Sequence, residues 1–215
     1  MNKCEIFPHI DNTLLKPTAT WDQIEALCRE TVDCGMASAC IPPTFVKRAH
    51  ERFGDALTVC TVIGFPLGYN TAAVKVFEAQ QALAQGAKEV DMVVNLGDVK
   101  AGGYAAITDE IASIKKAVGD TTLKVIVETC ALTGDEKIAL CRCVTEGGAD
   151  FIKTSTGFGS AGAQLEDIAL FRKHIGPHVK IKAAGGIRTR EAMEKFLAAG
   201  CERIGSSAAA TALAD

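Results

Sequence analysis

None of the nine cysteines stands in a CxxC pair and their number is odd, so neither a disulfide framework nor a cysteine metal knuckle is indicated. Several lie in apolar segments, as Cys60 does in LTVCTVIGF, where a thiol behaves as a small hydrophobe. No apolar run approaches the roughly 18 residues of a membrane helix, and MNKCEIFPHIDNT holds no apolar core of a secretory leader. There is no block of five basic residues and the net charge is -3, which removes the electrostatic case for nucleic acid. The four histidines show no ligand spacing with the cysteines, and no Ser-His-Asp order presents itself. What these absences leave is a cytosolic domain that calls for no metal, no cofactor and no membrane. It is expected to act on small molecules.

What is present is strand–helix alternation. At 215 residues, 48% hydrophobic and 23% charged, the chain has the composition of a soluble globule and the length of one domain, 1–215. Strand candidates fall at 6–11, 36–41, 57–64, 89–94, 123–128, 150–154, 180–184 and 203–206. Between them run amphipathic stretches such as WDQIEALCRETVDCG and TREAMEKFLAAGC, many closed by glycine. Thr20 or Asp22, Asp135 and Thr189 are the expected helix starts. Such alternation with almost no hairpin signals predicts parallel pairing, and eight strand candidates predict a single α/β (β/α)8 TIM barrel. An open doubly wound sheet is the second choice, disfavoured because no strand is followed by GxGxxG.

In a barrel the chemistry belongs at the C-terminal strand ends. There the sequence places unusual polar residues: Asp11 on strand one, Asp91 on strand four, Glu128 closing strand five, Lys153 on strand six and Lys182 on strand seven. Lysine is rarely buried without a partner. Two ammonium groups on adjacent strands disfavour each other's charge, and in a partly desolvated site one becomes a free amine. A free amine attacks carbonyls to form an imine, and a carboxylate such as Asp91 can move the protons. Lys153 is then the nucleophile and Lys182 its cationic neighbour. The alternative is that each lysine makes a structural ion pair with Asp91 or Glu128, since such pairs also perturb titration.

Three glycine-rich loops follow strands six to eight: TSTGFGSAG, AAGGIRTRE and IGSSAAATALA. Their backbone N–H groups suit a phosphate, with Gly185, Gly186, Gly205, Ser206 and Ser207 as the cradle and Gly157 as a wall. Any one of these loops could instead be a tight turn alone. Arg188 could reach the phosphate or simply be a solvated residue at a helix start.

The motifs IDNTLLKP, ACIPPTFV, TVIGFPLG, EVDMVVNLG, LKVIVET, GADFIKTSTGF, KAAGGIRT and RIGSS, in this order from about residue 8 to 210, resemble the deoxyribose-phosphate aldolase family. The resemblance implies a (β/α)8 barrel and a class I lyase that reversibly cleaves 2-deoxy-D-ribose 5-phosphate to D-glyceraldehyde 3-phosphate and acetaldehyde. By motif it places the Schiff-base lysine on Lys153, the second lysine on Lys182, the proton-relay aspartate on Asp91 and the strand-one aspartate on Asp11. It implies a sugar phosphate and an aldehyde as partners, and a homo-oligomer, with a dimer expected. Thr154 and Cys40 are carried as further candidate substrate or phosphate contacts. The chain departs from relatives at Asn12, where many have histidine, and at Phe158 and Ala208, where some have lysine and serine. Phosphate is therefore expected to rest more on backbone N–H groups. No tyrosine follows Tyr104, so the proton transfer that longer relatives aid with a terminal tyrosine is expected from water or another group. Two other readings remain: an imine-free sugar-phosphate isomerase or epimerase with Asp91 as base, and a non-catalytic barrel that binds sugar phosphates.

Overall fold

The computed structural model describes residues 1–214. Its strands are short and carry apolar side chains toward the surrounding helices: β1 (Ile10–Thr13), β2 (Ser38–Ile41), β3 (Val59–Ile63), β4 (Glu89–Val93), β5 (Thr122–Ile126), β6 (Phe151–Lys153), β7 (Lys180–Ala184) and β8 (Arg203–Ser206). They pair in parallel in sequence order, and β8 returns to β1 with Asp11 opposite Gly205. Closure of the sheet excludes the open doubly wound alternative. The helices between them are α1 (Trp21–Cys34), α2 (Val46–Phe53), α3 (Ala72–Ala84), α4 (Tyr104–Val118), α5 (Gly134–Glu146), α6 (Leu165–His174) and α7 (Arg190–Ala198), with a short α8 (Ala209–Ala212) after β8. None of the helices among the described residues is long and apolar enough to cross a membrane.

The main core lies between sheet and helices. Val90, Met92, Leu123, Val125, Ile152, Ile181 and Ile204 pack with Ile107, Ile111, Val144, Phe171 and Met193 from the helices, all buried. Each such side chain contributes about 1.5–3 kcal/mol by leaving water. The two-residue period of the strand then turns alternate residues into the barrel, and beside a small Cys40–Cys60–Val62 cluster the side chains there include Asp11, Glu89, Asp91, Lys124, Lys153 and Lys182 where branched aliphatics usually dominate.

Most expected strand ends shift by one or two residues, so that Glu128 falls beyond β5, and two element starts move for identifiable reasons. Residues 6–9 do not begin β1: an Asn2–Glu5 capping box opens a helical turn, Lys3–Ile6, and Phe7–His9 continues as a 3-10 turn. Pro8 has no N–H to give a ladder, so pairing begins only at Ile10. α5 starts one turn-position earlier than Asp135. Thr133 Oγ1 accepts from the Glu136 N–H at 3.3 Å and the Thr133 N–H donates back to Glu136 at 2.7 Å, which is the reciprocal Thr-x-x-Glu cap. Thr20 and Thr189 cap α1 and α7 as expected.

A buried lysine outside the barrel steadies the end of β4. Lys75 on α3 has no exposed surface; its Nζ donates to the Val93 carbonyl at 2.8 Å and to Glu110 of α4 at 2.9 Å. Burial pushes the Glu110 carboxyl up, and the ammonium of Lys75 works against that shift. Replacing Lys75 by methionine is expected to cost about 3–5 kcal/mol in urea unfolding, since it strands a buried carboxylate. Adding Glu110→Leu to Lys75→Met should recover most of the loss.

Candidate active site

Parallel register alone brings the lysines together. Lys153 and Lys182 are direct Cα partners on β6 and β7, and Asp91 is the partner of Lys124 on β4 and β5. The side chains meet at one carboxylate. Lys153 Nζ and Lys182 Nζ each donate to Asp91 Oδ2 at 2.7 Å, and Lys124 Nζ donates to Asp91 Oδ1 at 2.9 Å. Below this level Lys182 pairs with Asp11, Arg203 pairs with Asp11 and Glu89, and Lys124 pairs with Glu89. Ser38 Oγ donates to Asp11 at 2.7 Å and the Cys60 thiol to Asp91 at 3.3 Å.

The field of this cluster is strong because water is excluded from it. Burial would raise the Asp91 carboxyl, but Lys124, Lys153 and Lys182 outweigh it and hold the group well below the ordinary carboxylate range. Asp11 is likewise lowered against its burial, by Lys182, Lys124 and Arg203. Burial would strip the proton from Lys182 and Lys124, yet the carboxylates around them raise both above the ordinary lysine range. Arg203 is raised against its own desolvation by Asp11 and Glu89. So Lys182 is a fixed cation, as the two-lysine argument requires.

A cleft of about 300 Å³ opens above the cluster at the C-terminal rim. Lys153 lines it, and so do Gly157, Gly185, Gly186, Gly205, Ser206 and Ser207, together with Lys16, Thr156, Phe158 and Arg188. Lys182, Asp91 and Asp11 lie beneath it with no exposed surface. The glycines are needed where the rims touch: a Cβ on Gly162 would stand 2.0 Å from the Gly185 carbonyl oxygen. Ser206 does not offer its hydroxyl to the cleft, for Oγ donates to the Ile187 carbonyl at 2.8 Å and accepts from the Ala208 N–H at 3.2 Å. It ties the β8 rim to the β7 rim.

Two candidates are placed elsewhere. Thr154 is buried and its hydroxyl clips β6 to β7, donating to the Ala184 carbonyl at 3.1 Å and accepting from the Ala184 N–H at 3.0 Å. Cys40 is buried inside the barrel, beside Cys60 and Asp91, below the cleft. Neither lines the cleft, because their positions fall one residue out of phase with it or one layer too deep. Cys40, Cys60 and Asp91 bring their ligand atoms within 4.8 Å of one another, but the Asp91 oxygens are already taken by ammonium groups, and burial pushes the Cys60 thiol up. That donor set does not suit a metal ion.

Several contributors escaped the sequence reading. Lys124 in TLKVIVE is as odd in an apolar strand as Lys153, and equal parity with Asp91 across the β4–β5 register was its signal. Glu89 and Arg203 sit at strand starts, where a charge looks solvated. Lys16 followed from no periodicity, because it lies in the loop after β1. Asn12 points out of the barrel instead, its Nδ2 donating to Glu30 at 2.9 Å and Thr31 at 3.2 Å on α1. The exchange of histidine for asparagine there leaves the cluster untouched. Glu128 joins no lysine; it accepts from Thr156 and, at 3.8 Å, from the Cys130 thiol.

The depressed carboxyls make stability pH-dependent with a definite sign. A carboxyl lowered in the folded state contributes stability that is present above its unfolded pKa, near 3.9, and is lost as pH falls toward the folded value. Raised lysines keep theirs below about pH 10 and lose it above. Asp11→Asn is expected to cost about 3–5 kcal/mol from pH 5 to 9, a gap that closes below about pH 4, measured by denaturant unfolding across pH.

Relatives carry the same chain plan. A deoxyribose-phosphate aldolase of Clostridium botulinum (strain Alaska E43 / Type E3) is 56% identical over 97% of this chain and 95% of its own. One of Clostridioides difficile (strain 630) is 57% identical over 94% and 92%. The structure of the tetrameric deoxyribose phosphate aldolase from Aeropyrum pernix superposes with a TM-score of 0.92 at 31% identity, covering 99% of this chain and 91% of that one. A family model described as DeoC/LacD family aldolase matches residues 9–213. With the lysine-lined cleft and the barrel as its frame, the chain belongs to the DeoC/LacD family of aldolases.

Proposed function

We propose that this protein is a class I aldolase that reversibly cleaves 2-deoxy-D-ribose 5-phosphate to D-glyceraldehyde 3-phosphate and acetaldehyde through an imine on Lys153. The observation that carries this reading is positional: Lys153 is the one member of the buried ion cluster, among the described residues, that also lines the cleft. The cluster joins four cationic side chains (Lys124, Lys153, Lys182 and Arg203) to three carboxylates (Asp11, Glu89 and Asp91). Lys153 is the amine of that cluster placed to meet a carbonyl substrate.

In this reading Lys153 attacks C1 of the open-chain aldehyde, and the carbinolamine loses water to give a protonated imine. A base removes the C3 hydroxyl proton, the C2–C3 bond breaks, and its electron pair passes through C2 to the imine nitrogen as an enamine. Glyceraldehyde 3-phosphate leaves, C2 is protonated, and water hydrolyses the imine to acetaldehyde and free Lys153. Asp91 is held too firmly ionised to keep a proton for long, so it serves as a relay with water between the amine and the hydroxyl. Lys182 stays charged throughout and keeps a fixed positive field beside the reacting amine. The 5-phosphate rests on the backbone N–H groups of Gly185, Gly186, Gly205 and Ser207, with Gly157 as wall and Lys16 and Arg188 supplying positive charge. A homo-oligomer working in the cytoplasm completes the reading. The tetrameric relative supports self-association, and the dimer remains the expected unit.

Borohydride added with 2-deoxyribose 5-phosphate is expected to fix a mass adduct on Lys153, absent in Lys153→Met. Turnover without any trapping would mean an imine-free isomerase, and binding without product a silent barrel. Lys182→Met should lower kcat by roughly 10²–10⁴-fold, the usual worth of a group that sets the protonation of a catalytic amine.

A further inference from the structure

Glu128 follows β5 with φ 57° and ψ 65°, and it is the one residue other than glycine with positive φ among the described residues. Left-handed backbone is costly for a side chain with a Cβ, and it persists where its surroundings hold it. The carboxylate is buried without a cation. It accepts from the Thr156 hydroxyl through Oε2, and the Thr156 N–H lies 3.3 Å from Oε1 and 3.4 Å from Oε2. The same hydroxyl accepts from the Phe158 N–H at 3.0 Å. A chain of hydrogen bonds thus runs from Glu128 through Thr156 to Phe158. The loop also lies directly on the carboxylate, for a Cβ at Gly159 would stand 3.1 Å from Glu128 Cδ.

The segment held in this way is a partition. On one side Thr156, Gly157 and Phe158 line the cleft beside Lys153. On the other, Thr156 and Phe158 border a second cleft of about 260 Å³, walled by Leu67, Leu96 and Cys130. A wall with space on both faces is fixed by few contacts, the edge-on packing of Phe158 against Phe65 at 5.4 Å between ring centroids among them, and a shift of the order of 1 Å in a substrate-positioning wall can cost a large part of the rate at limiting substrate. We infer that Glu128 is a positioning residue for the reaction: through Thr156 it fixes the Thr156–Phe158 wall over Lys153 and so sets where the sugar phosphate lies. The inference rests on the aldolase reading for its substrate, not for the tether. The residue strains the backbone where glycine would not, which is what a position chosen for its carboxylate requires.

Glu128→Gly tests this, because glycine takes the left-handed turn without steric cost and removes the tether, along with one long thiol contact from Cys130 at 3.8 Å. KM for 2-deoxyribose 5-phosphate is expected to rise about tenfold while kcat falls less than about threefold, since Lys153 and Asp91 keep their own contacts. Thr156→Val should show the same split, Thr156→Ser should rescue most of it, and Glu128→Gly with Thr156→Val should be no worse than either alone. Amide hydrogen exchange at Gly157 and Phe158 should quicken in Glu128→Gly while the strands keep their protection, a readout that needs no substrate. Unchanged KM with unchanged exchange, a fall in thermal stability with no KM effect, or additive effects in the double variant would overturn the proposal. A wild-type protein that does not turn over the sugar phosphate sinks the aldolase reading alone, and the exchange data then decide on the tether.

Discussion

One buried carboxylate, Asp91, receives three ammonium groups, and the rest of the site is arranged around that fact. Desolvating charges costs several kcal/mol per ion, and their mutual attraction returns it only when the geometry is close and the remaining lone pairs are satisfied. The barrel meets the first condition throughout, and at Asp91 both carboxylate oxygens are taken. Asp11, Glu89 and Arg203 form a second tier that holds Lys124 and Lys182 from below, so the upper tier is fixed by charge as well as by packing. An aliphatic interior would be the more stable choice for a barrel of this type. Giving up that stability is the usual mark of a site kept for chemistry.

The cluster is graded along the barrel axis. Its deep members are sealed and locked in their charged forms, while Lys153 reaches the cleft. In the proposed reaction that gradient would let one lysine act while its neighbours shape the field around it. The rims above are held by uncharged means: Ser206 ties the β8 loop to the β7 loop, Thr154 clips β6 to β7, and Glu128 tethers the loop after β6 through Thr156. Charge thus fixes the layer below, and hydrogen bonds fix the rims above.

Outside the barrel the same economy of polar groups recurs. Lys75 and Glu110 pair between two helices, and Lys75 also takes the Val93 carbonyl at the end of β4, two residues beyond Asp91. The strand that carries the shared carboxylate is thus fastened from the outer side too. Asn12 joins β1 to α1 in a similar way, next to Asp11 in sequence but facing the opposite direction. Alternation along a strand sends one of these neighbours to the helix layer and the other to the buried ion cluster.

By itself the sequence determined the alternation of strands and helices, the strand spans to within a few residues, and the lysine–lysine–aspartate set, because those follow from local period, propensity and the rarity of a lysine in an apolar run. It also determined the glycine rims, since close loops need residues without a Cβ. It left Lys124, Glu89 and Arg203 unread: each is ordinary beside its sequence neighbours and becomes an ion partner only once β4, β5, β7 and β8 come into register. Thr154 and Cys40 went the other way, polar or reactive in the chain but turned to strand clipping and to the sealed interior. Tertiary structure decided these cases because parity, depth along the barrel axis and barrel closure depend on pairing between strands distant in the chain, and no local pattern carries that information.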